Sequence, residues 1–358
     1  MYDPCRCVTT YLIRLPSFES SMSESPESLG APAFTRLVDL AAERLGGQAL
    51  QANDEFFAPK ENVLKPGRGV YVPDKYTDRG KWMDGWETRR RRTPGHDWVI
   101  IRLGLAGIVR GVDIDTNHFL GNHPPYASLD ACWLAEGASP EQAAWAEILP
   151  KSPLEPGCQN LFAVTDGRCR THLRLNIYPD GGVARLRVFG EVVPDWSRLD
   201  PDALIDLAAV EHGGQALACS DRFFSDMRNL ILPGPSRNMG DGWETRRRRG
   251  PGHDWVIIRL GAAGHIRRLE IDTTHFKGNY PDQCSVEGGL FPEGTRDFPE
   301  ESDAAWTVLL PKTPLQAHHQ HIFEDVLPEA GPYTHVRLTI FPDGGIARLR
   351  VFGTRVTD

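Results

Sequence analysis

The chain has 358 residues, about twice the usual length of one domain, so two domains are expected. Its 40% hydrophobic and 25% charged residues suit a folded chain with two cores, and 35 glycines with 28 prolines suit the many turns of an all-β protein. A net charge of −8 argues against nucleic acid or an anionic membrane as the main partner, and no apolar run is long enough to span a bilayer.

Residues 1–30 are expected to form a disordered tail. The apolar stretch 11–15 is too short for a signal peptide and is interrupted by Arg14, while Met22 opens MSESPESLGAP, which reads as a natural start. PAFTRLVDLAAERLGG follows, with Leu37, Leu40, Ala41 and Leu45 at helical spacing and Gly46 as C-cap, predicting one short amphipathic helix. DGWETRRRRTPGHDWVIIRLG (84–104) contains WVIIRLG, a nearly continuous β-branched run expected to be a strand buried on both sides. After IDTNHFLGN (114–122), THLRLNIYPDGGVARLRVFG (171–190) alternates on each side of Pro-Asp-Gly-Gly and reads as a hairpin.

The second half repeats the first. DGWETRRRRGPGHDWVIIRLG (241–261) differs from its counterpart only at Gly250 in place of Thr93. IDTTHFKGN (271–279) and HVRLTIFPDGGIARLRVFG (335–353) follow in the same order. DLAAERLGGQAL (39–50) matches DLAAVEHGGQAL (206–217) at a larger offset, which places a ten-residue insertion of copy one within PGRGVYVPDKYTDRGK. A period of roughly 160 residues is too long for a solenoid unit, so each copy is a domain. The domains are read as 31–190 and 202–358, joined by a polar linker over 191–201, each a β-sandwich with a short N-terminal helix. The seven cysteines do not recur with the repeat: Cys132 aligns with Gly289 and Cys284 with Ala127. Reduced thiols and a cytoplasmic location are therefore expected.

Three blocks concentrate polar chemistry. If DGWETRRRR is extended, Glu87, Arg89 and Arg91 share one face and Thr88, Arg90 and Arg92 the other. A guanidinium fork gripping a carboxylate is the functional reading, and a solvated arginine ladder or internal Arg–Glu pairing the structural one. PGHDW supplies His96 and His253, candidates for acid–base work or for stabilising the turn before the strand. IDT-x-HF-x-GN supplies Asp115, His118 and Asn122, with Asp272, His275 and Asn279 in copy two. These form either a site at a sandwich end or a loop network. HHQH (318–321) has no counterpart in copy one and fits no helical ligand pair, so it reads as a polar loop. No thiolate metal motif, Walker loop or GxSxG elbow occurs.

Together DGWETRR, DWVIIRLG, IDTxHFxGNxP and RLxIxPDGGxARLRVFG, present in order in both copies, resemble the allantoicase family over residues 35–353. The resemblance implies a galactose-binding-like jelly roll, also used by many non-catalytic carbohydrate-binding modules. It implies a carbon–nitrogen hydrolase of purine catabolism that converts allantoate and water to ureidoglycolate and urea. A cation for the substrate carboxylate, an acid for the departing urea, a base for water and amides for the ureido groups are the needed parts. Glu87, His96, Asp115 and His118, with Glu244, His253, Asp272 and His275, become the catalytic candidates. Arg89, Arg90 and Asn122, with Arg246, Arg247 and Asn279, become the substrate-binding ones. No cofactor is evident, and a hard or borderline divalent ion on the Asp, His and Asn set is compatible with the pattern. Self-association into a homo-oligomer stays open, as does whether one copy, both or their interface forms the centre. Where copy two reads GNYPDQCSVEG, copy one reads GNHPPYASLDA, so Pro125 stands at the position of Asp282. The rival from another class is a tandem sugar-binding module without turnover.

Overall fold

The computed structural model describes residues 30–295 and 305–357, so the tail expected over 1–30 lies, but for Gly30, outside the described residues. The chain divides into two compact units at Val193 and Pro194. The first contains β1 (Val38–Asp39), β2 (Gln48–Ala52), β3 (Tyr76–Thr77), β4 (Gly80–Lys81), β5 (Trp86–Glu87), β6 (Asp97–Asp115) and β7 (Tyr126–Cys132). It continues with β8 (Ala146–Pro153), β9 (Leu161–Ala163), β10 (Cys169–Tyr178), β11 (Gly182–Val183) and β12 (Arg185–Val192). The second unit runs from β13 (Ile205–Asp206) and β14 (Gln215–Cys219) through β15 (Trp243–Glu244), β16 (Asp254–Asp272) and β17 (Gln283–Gly289). It ends with β18 (Trp306–Pro314), β19 (Gln320–Phe323), β20 (Tyr333–Phe341), β21 (Gly345–Ile346) and β22 (Arg348–Arg355).

The 19-residue β6 organises the first sandwich. Trp98–Arg102 of β6 pair with β10 and, over Val99–Arg102, with β2, while Gly111–Asp115 pair with β12 and, over Gly111–Asp113, with β9. One strand thus serves two layers, β2–β6–β10–β7–β8 and β9–β6–β12–β1. Val99 and Ile101 from one half of β6, Val112 and Ile114 from the other, and Leu173, Leu175, Leu186 and Val188 from its partners fill the core between the layers. β16 repeats the arrangement with β20 and β14 on one half and β22 and β19 on the other. Trp86 and Trp243 are fully buried, and each indole N–H donates at 2.8 Å to the carbonyl of Asp54 or Asp221.

Two expectations are corrected. The N-terminal amphipathic segment is not an α-helix: it forms 3-10 turns at Ala33–Arg36 and Glu43–Leu45 with β1 between them. Its backbone groups go to the sheet instead, since the Leu40 amide donates to the Val188 carbonyl and the Asp39 carboxylate accepts from the amides of Ala41 and Val188. Leu40 and Ala41 are still buried, and Gly46 still ends the turn with φ 94°, so the apolar spacing reported burial rather than helix. The Pro-Asp-Gly-Gly segment does not close a hairpin either. β10 and β12 are both neighbours of β6, on opposite halves, so the turn carries the chain from one layer to the other. The copy-one insertion forms the β3–β4 ladder, and its Arg68 grips both oxygens of Asp115 at 2.9 Å. All five described cysteines are free: Cys132, Cys158, Cys169, Cys219 and Cys284.

Candidate active site

Three sequence blocks meet at one end of each sandwich. β5 pairs with β11 just after the Pro-Asp-Gly-Gly turn, with Glu87 opposite Gly182, and β15 pairs with β21, with Glu244 opposite Gly345. Thr88 and Thr245 stitch this turn to the arginine run: the Thr88 amide donates to the Gly181 carbonyl and the Gly181 amide to Thr88 Oγ1, both at 3.1 Å. The glycines are needed here. Gly181 and Gly344 have φ of 142° and 133°, and a Cβ on Gly182 or Gly345 would lie 2.0 or 1.9 Å from the fully buried ring of Phe119 or Phe276. The amides of Gly182 and Gly345 also donate to the carbonyls of Asn122 and Asn279, which brings the third block into place.

The side chains then converge. Asn122 Nδ2 donates to Glu87 Oε1 at 2.7 Å, and Asn279 Nδ2 to Glu244 Oε1 at 2.5 Å. Burial holds the Glu87 carboxyl above the usual range, a push the Asn122 hydrogen bond partly offsets. In copy two the Glu244–Asn279 pair lines a cleft of about 420 Å³ with Phe224, Arg247, Tyr280 and Asp282 and the Pro342–Gly344 turn.

The arginine run sorts by alternation. Arg89 lies against Asp54 (2.6 Å) and over Phe56, and Arg246 lies against Asp221 (2.8 Å) and over Phe223. Arg91 and Arg248 pair with the buried Asp97 and Asp254 at 2.6 and 2.5 Å. Among the described residues, the side chains of Arg90 and Arg247 make no hydrogen bond or ion pair, and Arg247 faces the cleft. Of the substrate-binding candidates, the cleft therefore gathers Arg247 and Asn279, and Arg246 is engaged elsewhere.

The remaining candidates take other places. The His96 ring lies tilted 4.7 Å from Tyr178 and His253 lies 5.5 Å from Phe341, both at the turn before the long strand. Asp115 is buried under Arg68, and Asp272 accepts the Thr274 amide at 2.8 Å. His118 and His275 sit at a corner with φ of 69° and 74°. His275 Nε2 contacts the Ser236 carbonyl at 2.8 Å, and His118 packs against Tyr71. None of these lines the copy-two cleft. In the 318–321 loop, His318 Nδ1 accepts the His275 amide, and His321 bridges Gln316 and Ile271. Sequence reasoning did not assign Phe224, Tyr280 or Asp282 to the site. For Asp282 a signal existed in the Pro125 difference.

Beneath the site, Arg185 is buried against Asp84 at 2.6 Å and Arg348 against Asp241 at 3.1 Å, fixing the aspartate that opens each DGWETRRRR block.

The chain is similar to proteins of known family. The family model "Allantoicase repeat" matches residues 38–193 and 205–356. "Probable allantoicase 1" of Burkholderia mallei is 52% identical over 325 residues, covering 90% of this chain and 96% of that protein. "Probable allantoicase" of Pseudomonas aeruginosa is 52% identical over 321 residues, covering 90% and 97%. The crystal structure of allantoicase from Saccharomyces cerevisiae is 38% identical with a TM-score of 0.74, covering 88% of this chain and 92% of its own.

Proposed function

The chain belongs to the allantoicase family, and from that premise we propose that it hydrolyses allantoate to ureidoglycolate and urea, with the chemistry in the cleft of copy two. The observation that carries the placement is Arg247, a guanidinium with no hydrogen-bond or ion-pair partner among the described residues, lining the cleft beside a carboxyl held by an amide. Allantoate presents one permanent charge, its carboxylate, and two ureido groups on a single carbon. Arg247 offers the carboxylate two parallel donors. Asn279 donates to Glu244 and fixes the orientation of its carboxyl.

Glu244 then handles the proton. The carbon–nitrogen bond to one ureido group breaks while the lone pair of the other ureido nitrogen supports the carbon as an iminium, and water bonds to that carbon. Glu244 carries the water's proton to the departing nitrogen, so that urea leaves and Glu244 is again a carboxylate. Proton transfer by a positioned group contributes about 10²- to 10⁴-fold, and holding the substrate carboxylate adds orientation. We place the reaction in the cytoplasm, in keeping with the five free cysteines.

The test is urea release by the purified protein, with allantoate, allantoin and ureidoglycolate offered in parallel. Urea from allantoate is expected. Saturable glycan binding without urea would establish the tandem sugar-binding reading instead, and turnover of another ureide alone would reassign the substrate.

A further inference from the structure

The end of the first sandwich that corresponds to the cleft shares its frame and lacks one of its carboxylates. Leu154 N–H donates to the Pro125 carbonyl at 3.0 Å and Leu315 N–H to the Asp282 carbonyl at 2.9 Å. The following strands keep the same register, Tyr126 opposite Pro153 and Gln283 opposite Pro314. The backbone is therefore equivalent at 125 and 282, and only the side chain changes. Asp282 lines the cleft with Glu244, Asn279 and Arg247, is exposed, and among the described residues its carboxylate has no hydrogen-bond or ion-pair partner.

We propose that Asp282 is the acceptor for a ureido group of the substrate, and that its replacement by Pro125 confines turnover to copy two. A ureido group carries N–H donors side by side on its two nitrogens. A carboxylate has two oxygens at matching spacing and can accept both in parallel, the same complementarity by which guanidinium and carboxylate pair. Arg247 and Asp282 then read the two halves of the ligand, the carboxylate and the ureide, while Glu244 stands ready at the carbon between them. Asp282 moves no proton and is a specificity-determining residue. In copy one, Glu87, Asn122 and Arg90 recur, but Pro125 has neither charge nor side-chain acceptor, so that end of the sandwich has no fork to hold a ureide in register.

This inference rests on the allantoicase reading, and the experiment separates the two. The parent enzyme, Asp282→Asn and Glu244→Gln are compared in the urea assay, with N-carbamoylglycine (one carboxylate, one ureido group) and glycolate (a carboxylate only) as competitive inhibitors. Asp282→Asn is expected to raise KM for allantoate at least tenfold and to weaken N-carbamoylglycine by a similar factor, with glycolate changed less than twofold. Glu244→Gln is expected to leave less than 5% of the rate. Equal weakening of both inhibitors or an unchanged KM would overturn the role of Asp282. About half the activity remaining in Glu244→Gln would overturn confinement to copy two. A parent that releases no urea from allantoate sinks the functional reading itself, and calorimetric binding of the two probe acids to parent and Asp282→Asn then decides the Asp282 role alone. Thermal melts of each variant show whether a loss reflects misfolding.

Discussion

Arg246 and Arg247 are neighbours in sequence with opposite duties, and lysine substitution separates them. Arg247 is free to present two N–H groups to a carboxylate. Lysine keeps the charge and loses the fork, so one of two charge-assisted hydrogen bonds disappears, about 1.5–3 kcal/mol. At 1.36 kcal/mol per decade, kcat/KM of Arg247→Lys should fall about 10- to 150-fold. Arg246 is already committed to Asp221 at 2.8 Å, with its side chain 65% exposed. An exposed pair of that kind contributes at most about 1 kcal/mol, so Arg246→Lys should lower Tm by no more than about 2–4 °C and kcat/KM by less than about threefold. The assay is kcat/KM for urea release with a melt on each variant. If Arg246→Lys costs as much catalysis as Arg247→Lys, sorting the run by its existing partners is wrong, and the carboxylate is bound on the Asp221 side.

Burial and the charge of Asp115 push the Asp113 carboxyl up to about 7. The folded chain keeps a proton there that the unfolded chain releases from about pH 4 upward, so this contribution is full below pH 4 and lost as pH rises to 7, about 4 kcal/mol in all. Asn at 113 stays neutral, and the stability advantage of Asp113→Asn over the parent should grow by about 2–3 kcal/mol between pH 5 and pH 8 in urea denaturation. A constant difference across that range refutes it. The proposed chemistry runs on proton transfer by Glu244. Exhaustively chelated enzyme is expected to keep its rate. A loss restored by manganese, magnesium or zinc would give the Asp, His and Asn sets another role.

The duplication, the all-β architecture and the blocks that build the site are legible in the sequence because each is a local pattern. The Glu87–Asn122 and Glu244–Asn279 pairs join two of those blocks. What is not legible depends on distant partners. Alternation separates Arg89 and Arg91 from Arg90, but which set is engaged depends on Asp54, far upstream, and on Asp97 beyond the turn. His118 and His275 look catalytic by type, yet their positive φ puts them at a corner whose shape no spacing rule reports. The segment 32–47 has helical spacing, and the sheet overrides it by taking its backbone donors. Pro-Asp-Gly-Gly has the composition of a hairpin, but the seat beside β10 is occupied by β6, which enters from far upstream.

That long central strand also sets how each copy must be built in time. Asp115 on β6 is paired by Arg185, and Asp272 on β16 by Arg348, each about seventy positions later. Neither layer can close until the last long strand of its copy arrives, so chain closure over that distance precedes most of the stabilising contact and sets a slow, strongly cooperative folding step. During synthesis the first copy is complete only after Val192 has been made, and the second must wait until β22 leaves the ribosome. Removing β22 would take a wall from the core of the second sandwich and leave the turn that shapes the cleft without the strand that follows it.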